Sequence, residues 1–464
     1  MYKKRFDLKY MLNPRSVAII GASSSPNKVG HVILQNYIDA GFPGKLYPVN
    51  TKEDAILGLK VYKSVLNIKD GVDLAVIAVP AEIVPKVLEE CGKAHVKSVI
   101  VVSGGFAEMG RADLQDKIIS IATKYGIAML GPNCLGVMDP RSRVDTLFLP
   151  TYKLSKPKIG SVSFVSQSGA VGSTVLDLIA KEGFGLSKFI SYGNAAVVDE
   201  VDILKYLGDD EDTKVIIMYI EGVKRGKEFI EIGKEVTKKK PVIVLKGGVT
   251  EQSASAVHSH TASLSGSFAA YQAVFRQFGF IVADDLSDLL NYAKAFSTEH
   301  MPKGNRVAIV TNGGGAGVLE TDEIFLNNLT LAEFDKTTLE NLRKNLPAIV
   351  AVRNPLDLVG DADDKRYETA LQAISKDPNV DMIIAIVLFQ TPGADSKVVS
   401  TLIHYKNITD IPIAALSPGA DYTSVHKMMM ENSGIPVYDS PAAVAKSFAK
   451  LLEHSRYLKG NGKE

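Results

Sequence analysis

Short runs rich in valine and isoleucine alternate along the whole chain with longer segments in which apolar residues recur every three or four positions. The short runs predict buried strands, and the longer segments predict helices packed on them. In the first part of the chain the predicted strands are 17–20, 45–49, 74–79, 98–102 and 128–130. This alternation is typical of βαβ units and predicts an α/β fold with parallel sheets.

Two later segments repeat one pattern of strand, small-residue turn and helix. One begins at Lys158 and reads KIGSVSFVSQSGAVG, and the other begins at Lys303 and reads KGNRVAIVTNGGGAG. In each copy a later buried strand is followed by a polar residue, Glu221 in the first and Gln390 in the second. This internal similarity indicates two flavodoxin-like domains in tandem.

Two polar segments that contain proline and lysine, 151–160 and 297–306, separate the repeats from the first part and from each other. A chain of 464 residues is also too long for one hydrophobic core. We therefore predict a Rossmann-like domain over 1–150, a flavodoxin-like domain over 151–298 and a second flavodoxin-like domain over 299–464.

Composition and charge exclude several classes of protein. Basic and acidic residues number 53 and 52, a formal net charge of +1, so no overall charge attracts nucleic acid or an anionic membrane. No uninterrupted apolar stretch is as long as a membrane span, which needs about 18 residues, and the N-terminus lacks the apolar run of a signal peptide. Cys91 and Cys134 lie far apart with no metal-ligand spacing. We expect a cytoplasmic protein that binds neither nucleic acid nor membrane.

The first strand leads into the turn Gly21-ASSSPNKV-Gly30. A dinucleotide site needs the pattern G-x-G-x-x-G and an acidic residue about 20 positions later. The turn lacks this glycine pattern. The second strand ends in proline, valine and Asn50 with no acidic residue, so NAD is disfavoured. Main-chain N–H groups at the helix start, with Ser23 and Lys28 nearby, suit the phosphates of another nucleotide. A purely structural turn is the alternative that the sequence leaves open.

The second turn, Val165-SQSGA, precedes a helix with one apolar face. Ser166 and Ser168 are first of all candidates to cap that helix, a contribution of about 1 kcal/mol. A helix N-terminus also attracts phosphate through free N–H groups and a partial positive charge, and this turn contains no acidic residue. The corresponding turn of the third domain, 312–317, is interpreted as an inherited structural feature.

The segment 247–267 has neither a strand nor a helix pattern, and its stretch SASAVHSHTASLSG places His258 and His260 among small residues. Loops this long inside a compact domain are usually functional or disordered. Metal binding is disfavoured because no cysteine or carboxylate clusters with the histidines, so no tightly bound metal is expected. General acid–base catalysis and a nucleophilic histidine both fit, and the small neighbours favour the nucleophile. A surface loop with incidental histidines is the remaining alternative.

The stretch His260-TASLSG resembles the phosphohistidine loop, usually written HTGSLAG, of ADP-forming acyl-CoA synthetases, which are relatives of succinyl-CoA synthetase. Further motifs resemble landmarks of that family, in the same order along essentially the whole chain. They are Pro14-RSVAIIGAS, Leu130-GPNCLG, Val165-SQSGA, Ile220-EG and Thr311-NGGG. The resemblance implies a CoA-binding first domain. It also implies reversible conversion of an acyl-CoA, ADP and phosphate into an acid, ATP and CoA, through an acyl phosphate and a phosphohistidine.

The resemblance assigns roles residue by residue. His260 is the implied nucleophile and His258 is not, and Glu221 matches the glutamate that orients this histidine. Four residues match the helix start that holds phosphate, namely Ser166, Ser168, Gly169 and Ala170. The residues at the positions of the family's CoA contacts are Gly21, Ser23, Pro26, Lys28, Gly30, Val79, Pro80, Ser103, Gly104 and Asn133.

The sequence departs from the family pattern at two points. Ala262 replaces the usual glycine of the loop, which puts the mobility of the loop in question. No segment resembles the ATP-grasp domain that binds the nucleotide in this family, and no G-x-x-x-x-G-K-[ST] loop is present. The resemblance therefore implies a separate ATP-grasp beta subunit, in an α2β2 assembly, that binds most of the Mg-ADP or Mg-ATP.

Several alternatives stay open. The same chemistry could act on a succinyl, branched-chain or aryl acyl-CoA, although the third domain favours acetyl-CoA over succinyl-CoA, since the alpha subunit of succinyl-CoA synthetase resembles only the first two domains. A CoA-binding regulator without turnover is disfavoured because His260, Glu221 and the turn of Ser166 occur together. A protein acetyltransferase is disfavoured because no additional domain is visible.

Overall fold

A computed structural model describes residues 6–250, 252–253 and 268–461. These residues fall into two compact units. The first unit comprises the described part of Met1–Lys181 together with Gly185–Asp284, and the second comprises Glu182–Phe184 with the described part of Asp285–Glu464. Two large sheets lie in the first unit and one lies in the second. The predicted α/β fold with parallel sheets is confirmed.

The first sheet has five parallel strands. In chain order the elements of this part are α1 (Lys9–Leu12), β1 (Ser16–Ile20), α2 (Val29–Asp39), β2 (Lys45–Val49), β3 (Ala55–Ile56), β4 (Leu59–Lys60), β5 (Leu74–Ile77), α3 (Val84–Lys93), β6 (Ser98–Val101), α4 (Ala112–Tyr125) and β7 (Ala128–Leu130). The strand order is β2-β1-β5-β6-β7, and β3 and β4 form a separate hairpin. All five predicted strands are present, and β5 and β6 end slightly before their predicted bounds.

The second sheet has the order β14-β13-β12-β10-β11-β8-β9. Its elements are β8 (Gly136–Asp139), β9 (Val144–Asp145), β10 (Ile159–Ser166), α5 (Gly169–Glu182), β11 (Leu186–Ser191), α6 (Glu200–Asp209), β12 (Val215–Ile220), α7 (Gly226–Val236), β13 (Val242–Lys246), α8 (Phe268–Gln277) and β14 (Ile281–Ala283). The strands are parallel except β8 and β9, which run antiparallel to their neighbours.

The third sheet is parallel, in the order β16-β15-β18-β19-β20, with β17 beside β15. Its elements are α9 (Leu286–Thr298), β15 (Arg306–Thr311), α10 (Gly314–Leu326), β16 (Thr330–Leu331), α11 (Lys336–Asn345), β17 (Leu356–Asp357), α12 (Asp364–Ile374), β18 (Met382–Ile386), α13 (Ser396–Ile408), β19 (Ile413–Leu416), α14 (Asp421–Asn432), β20 (Val437–Tyr438) and α15 (Pro441–Asn461).

The sheets divide the chain differently from the composition breaks. Strands β8 and β9 lie before residue 150 but pair within the second sheet. Helix α9 ends at Thr298, within the bounds predicted for the second domain, but its Lys294 donates to carboxylates of Glu182 and Glu431, so the helix packs in the second unit. Strand pairing and buried ion pairs are long-range contacts, and a change in composition along the chain does not reveal them. The predicted domain bounds stay a prediction.

The parallel sheets are buried on both faces. Consecutive residues of β1, such as Val17, Ala18 and Ile19, are fully buried although they point to alternate sides. Helices on the two faces of a parallel sheet bury both sets of side chains, which explains the uninterrupted apolar runs in the sequence. Among the helices of the described residues, none combines the length and apolar character that crossing a membrane requires.

Helix α10 carries an acid on its buried side. Glu320 is fully buried, along with Gly317 and Ile324 of the same helix, and its carboxyl oxygens have no hydrogen-bond partner among the described residues. Burial, and then the charge of Glu323, raises the pKa of Glu320 to about 9. A glutamate in the unfolded chain titrates near ~4.3, so between these values the folded state binds the additional proton. The free energy of unfolding therefore decreases as pH rises through this window.

We expect the Glu320→Met variant to be more stable than the wild type near neutral pH. Removing the buried acid should raise the free energy of unfolding at about pH 8 by on the order of 1–3 kcal/mol and flatten its decline with pH. Urea unfolding at about pH 5, 7 and 9 measures both effects. Glu323→Met, on the same helix but partly exposed, is the control with little expected change. A less stable Glu320→Met variant at high pH would contradict the prediction.

Candidate active site

The turn after β1 packs closely against the end of β5. Gly21 has a φ of +93°, and a Cβ atom there would lie 2.3 Å from the carbonyl oxygen of Ala78. A Cβ atom on Gly30, at the start of α2, would lie 2.1 Å from the carbonyl oxygen of Gly21. Only glycine fits at these two positions, because a side chain at Gly21 would collide with the main chain after β5, and one at Gly30 would collide with the main chain of the turn.

The outer part of this turn is open to solvent. Ser24, Ser25, Pro26 and Lys28 are exposed, and Ser23 is half-buried. The ring Nδ1 of His31 contacts the carbonyl oxygen of Ser23 at 2.9 Å. The structure thus brings together Gly21, Ser23 and Gly30, with Pro26 and Lys28 at the exposed tip.

An acidic residue that we did not predict lies beside this turn. The carboxylate of Glu53 accepts a hydrogen bond from the main-chain N–H of Ser24, at 3.1 Å to each oxygen. This N–H group lies in the turn predicted to bind phosphate, so a phosphate bound at Ser24 would have to share it with Glu53 or displace the carboxylate.

The remaining predicted CoA contacts meet at the carboxyl edge of the first sheet. The Ser103 hydroxyl donates to the carbonyl oxygen of Val79 at 2.6 Å, and the Asn133 N–H donates to the carbonyl oxygen of Ser103 at 2.9 Å. Gly104 approaches the Asn133 side chain closely, since a Cβ atom on it would lie 3.2 Å from Oδ1. Pro80 follows Val79 in the same segment and is exposed.

Lys28 provides a direct test of the predicted CoA site. We expect Lys28→Ala to raise the Kd for CoA by about three- to tenfold, because an exposed cation beside a phosphate contributes on the order of 1 kcal/mol and salt screens it. Titration calorimetry at about 50 and 300 mM salt measures the effect. Lys69→Ala, an exposed lysine near the opposite edge of the sheet, should leave the Kd unchanged. Equal Kd values for the Lys28→Ala variant and the wild type would remove Lys28 from the site.

The second predicted turn joins β10 to α5. The buried Ser166 hydroxyl donates to the carbonyl oxygen of Ser168 at 2.7 Å, and Ser168 Oγ accepts a long hydrogen bond, 3.4 Å, from the N–H of Val171. Ser166 therefore shapes the turn, and Ser168 caps the helix. The main-chain N–H groups at the helix start, at Gly169 and Ala170, are the groups that a phosphate would use.

Glu221 follows β12 and is 7% exposed. Its Oε1 accepts a hydrogen bond from the Tyr219 hydroxyl at 3.3 Å. Burial, and then the negative charge of Glu221, raises the pKa of the Tyr219 hydroxyl. The main chain of Glu221 is joined to the second turn by Gln167, whose side-chain Oε1 accepts the main-chain N–H of Glu221 at 2.7 Å. The structure therefore brings Glu221 and the predicted phosphate turn together.

A polar network joins the predicted CoA contact Asn133 to Asn194, which follows β11. Asn133 Nδ2 donates to Asn194 Oδ1 at 3.3 Å. Asn194 Nδ2 in turn donates to Glu108 Oε2 at 2.5 Å and to Gln115 Oε1 at 2.9 Å. The other oxygen of Glu108 accepts the N–H of Gly105 at 2.6 Å, next to the predicted contact Gly104.

His258 and His260 lie outside the described residues. The same is true of Ala262. Their predicted roles, and the doubt about the loop raised by Ala262, therefore stay predictions. Among the described residues, no group of three or more histidine, cysteine or acidic side chains is arranged to hold a metal ion.

Sequence reasoning missed Gln167, Glu53, Asn194 and Lys246. Gln167 lies inside the quoted motif VSQSGA, and Lys246 ends an apolar strand directly before the histidine segment. A polar residue at the carboxyl end of a parallel strand was a usable signal for both, because that edge is where sites form in such sheets. Glu53 and Asn194 lie in segments without such a signal.

Three protein-family models match successive parts of the chain. A CoA binding domain matches residues 15–140, a succinyl-CoA ligase like flavodoxin domain matches 159–296, and a ligase-CoA domain matches 307–424. These matches agree with the parallel sheets and with the two turns described above. The fold and the site define a CoA ligase of the succinyl-CoA ligase type.

The chain belongs to the family of ADP-forming acyl-CoA synthetases, where it is an alpha subunit and hence part of a ligase. It is 41% identical over 460 residues to acetate–CoA ligase [ADP-forming] II subunit alpha of Pyrococcus furiosus, covering 98% of this chain and 99% of the relative. It is 40% identical to acetate–CoA ligase [ADP-forming] of Methanocaldococcus jannaschii, covering 98% of this chain but only 64% of that longer relative. The described fold matches a dinucleotide forming acetyl-coenzyme A synthetase 1 from Candidatus Korarchaeum cryptofilum, solved with phosphate and ADP. That match has a TM-score of 0.92 and 34% identity over 98% of this chain and 99% of the other.

Proposed function

We propose that this chain, with a partner subunit, interconverts acetyl-CoA, ADP and phosphate with acetate, ATP and CoA, and that His260 carries the phosphoryl group. The observation that carries the proposal is the joining of Glu221 to the phosphate turn through Gln167, at 2.7 Å. A carboxylate beside a phosphate site would repel the ligand unless it served another group. An imidazole that the carboxylate orients is such a group.

The chemistry begins at the CoA side. A phosphate held at the start of α5 attacks the thioester carbonyl, a C–O bond forms, and the C–S bond breaks. The proton of the phosphate passes to the CoA thiolate. Main-chain N–H groups at Gly169 and Ala170 would bind the phosphate oxygens. On the CoA side, the hydrogen bond from Asn133 to Asn194 would hold the predicted contact Asn133 in place.

The phosphoryl group then moves to the histidine. A ring nitrogen of His260 attacks phosphorus, the P–O bond to the acyl group breaks, and acetate leaves. The carboxylate of Glu221 would accept the N–H of the other ring nitrogen, so that the attacking nitrogen is unprotonated and the phosphorylated ring is stabilised. ADP finally takes the phosphoryl group, which regenerates His260 and yields ATP.

The nucleotide is proposed to bind mainly on an ATP-grasp beta subunit in an α2β2 assembly. Two findings support a separate partner: one relative is named a subunit alpha, and this chain spans only 64% of the Methanocaldococcus jannaschii relative. In this proposal the partner corresponds to the part of that relative outside the match and supplies the nucleotide site. Magnesium would enter with the nucleotide as substrate. The two unpaired, buried cysteines support a reducing compartment such as the cytoplasm.

Co-purification followed by a coupled ATP assay tests the proposal. The chain and its partner, mixed with acetyl-CoA, ADP and phosphate, are expected to form ATP, and either protein alone is expected to form none. Acetyl-CoA is compared with succinyl, branched-chain and aryl acyl-CoA at equal concentration, and the ratio of kcat/KM values identifies the substrate. Absence of ATP with every acyl-CoA would favour a CoA-binding regulator over an enzyme.

A further inference from the structure

Two side chains outside the predicted site hold the main chain of Glu221 from both ends of the residue. Gln167 Oε1 accepts hydrogen bonds from the N–H groups of Glu221 at 2.7 Å and Gly222 at 3.2 Å. The carbonyl oxygen of Glu221 accepts a hydrogen bond from Lys246 Nζ at 2.8 Å. The direction of the Glu221 side chain therefore depends on contacts from two other segments, the turn after β10 and the end of β13.

Lys246 is only 4% exposed, although lysine is almost never fully buried unless its ammonium is paired. The ammonium also donates to the carbonyl oxygen of Gly247 and lies 4.9 Å from the centre of the Tyr271 ring. Burial lowers the pKa of Lys246, and the negative charge of Glu221 opposes that change. Glu221 and Lys246 thus interact through the main chain and through their charges.

The residue after Lys246 completes this support. A Cβ atom on Gly247 would lie 2.5 Å from the Tyr219 hydroxyl, and that hydroxyl donates to Glu221 Oε1 at 3.3 Å. The chain therefore leaves β13 in close contact with the group that bonds the carboxylate. A different backbone position at Lys246 would move Tyr219, and with it the carboxylate.

We propose that Lys246 and Gln167 are positioning residues for phosphoryl transfer to the histidine. Together they fix the main chain of Glu221, and the ammonium of Lys246 places positive charge beside a site through which phosphate passes. The inference rests on the proposed function, in which Glu221 orients the histidine. A carboxylate displaced by about 1 Å misaligns the attacking nitrogen, and errors of this size cost on the order of 100-fold in rate.

The test uses the complex of this chain with its partner and measures three quantities for each variant. They are the single-turnover rate of chain phosphorylation by labelled acetyl phosphate, the rate of CoA release from acetyl-CoA and phosphate, and Tm. We expect Lys246→Met to slow phosphorylation by about 10- to 100-fold while CoA release changes less than about threefold. Gln167→Met removes the other contact without changing charge and should show the same division between the two rates.

Lys240→Met is the matched control. Lys240 precedes the same strand at its opposite end and likewise donates to two carbonyl oxygens, those of Leu207 at 2.8 Å and of Asp210. Its replacement should leave phosphorylation unchanged. Wild-type phosphorylation in Lys246→Met, or an equal fall in both rates, overturns the inference. If Lys246→Met does not fold, Gln167→Met decides by the same criterion. A wild-type complex that takes no label shows that the proposed function itself fails, and this inference then falls with it.

Discussion

Replacement of His260 by alanine is expected to abolish phosphorylation of the chain and to lower ATP formation by about 10⁴-fold or more, as for the loss of a covalent nucleophile. The complex is incubated with acetyl-CoA and labelled phosphate, and label on the chain is measured after denaturation. In the wild type this label should be labile in acid and stable in base, as a phosphoramidate is. CoA release should persist in His260→Ala, because acyl phosphate forms before the histidine takes part.

His258→Ala is the control for this experiment, since His258 lies two positions away in the same small-residue segment. It should keep the label and most of the ATP formation. Label retained in His260→Ala would refute the assignment, and label lost in both variants would indicate that the segment, rather than one imidazole, is required.

Glu221→Gln is expected to slow phosphorylation by about 10²- to 10⁴-fold with little change in CoA release. The amide keeps the volume of the side chain and can still accept from the Tyr219 hydroxyl. It loses the negative charge that stabilises a phosphorylated ring and the acceptor strength that selects one tautomer. Comparable changes at histidine–carboxylate pairs lower kcat by up to about 10⁴-fold. Single-turnover phosphorylation by labelled acetyl phosphate measures the rate.

Glu231→Gln, an exposed glutamate of α7, is the control for the loss of charge alone. Its phosphorylation rate should match the wild type. If Glu221→Gln is phosphorylated at the wild-type rate, Glu221 does not orient the histidine, and the proposal for Lys246 and Gln167 fails with it.

The predictions for His260→Ala and Glu221→Gln also separate formation of the acyl phosphate from transfer of the phosphoryl group to the histidine. These two substitutions, and Lys246→Met, should slow the step that follows formation of the acyl phosphate, whereas Lys28→Ala should weaken CoA binding. A common loss in all four variants would point to an effect on folding. Glu320 lies in the other compact unit, so the stability measurement on Glu320→Met is independent of all four variants.

Much of the fold was predictable from local patterns. Strands such as β1 and β2 were predicted at their observed positions to within one residue, because strands buried on both faces of a parallel sheet appear as uninterrupted apolar runs. The assignment of β8 and β9 was not predictable. These strands follow the first sheet along the chain, yet they pair with the second sheet, and pairing partners leave no local mark in the sequence.

The residues of the candidate site were likewise predictable only in part. Short motifs located Glu221, the turn of Ser166 and the glycines of the first turn, because each requires particular residue types at adjacent positions. The roles within those motifs needed the structure: the Ser166 hydroxyl holds its own turn, and Gln167 rather than either serine reaches Glu221. Lys246 and Glu53 came from segments far along the chain from the groups that they contact.

By itself the sequence determined the class of fold, the order of the motifs and the family to which they belong, since these depend on residue types and spacing along the chain. Only the tertiary structure decided which side chains support the predicted ones, and that β8, β9 and α9 pack away from the neighbours that the composition breaks suggested. Hydrogen bonds such as that from Lys246 to Glu221 join residues 25 positions apart, and burial determines their strength. Neither distance in space nor burial is encoded at one position of the chain.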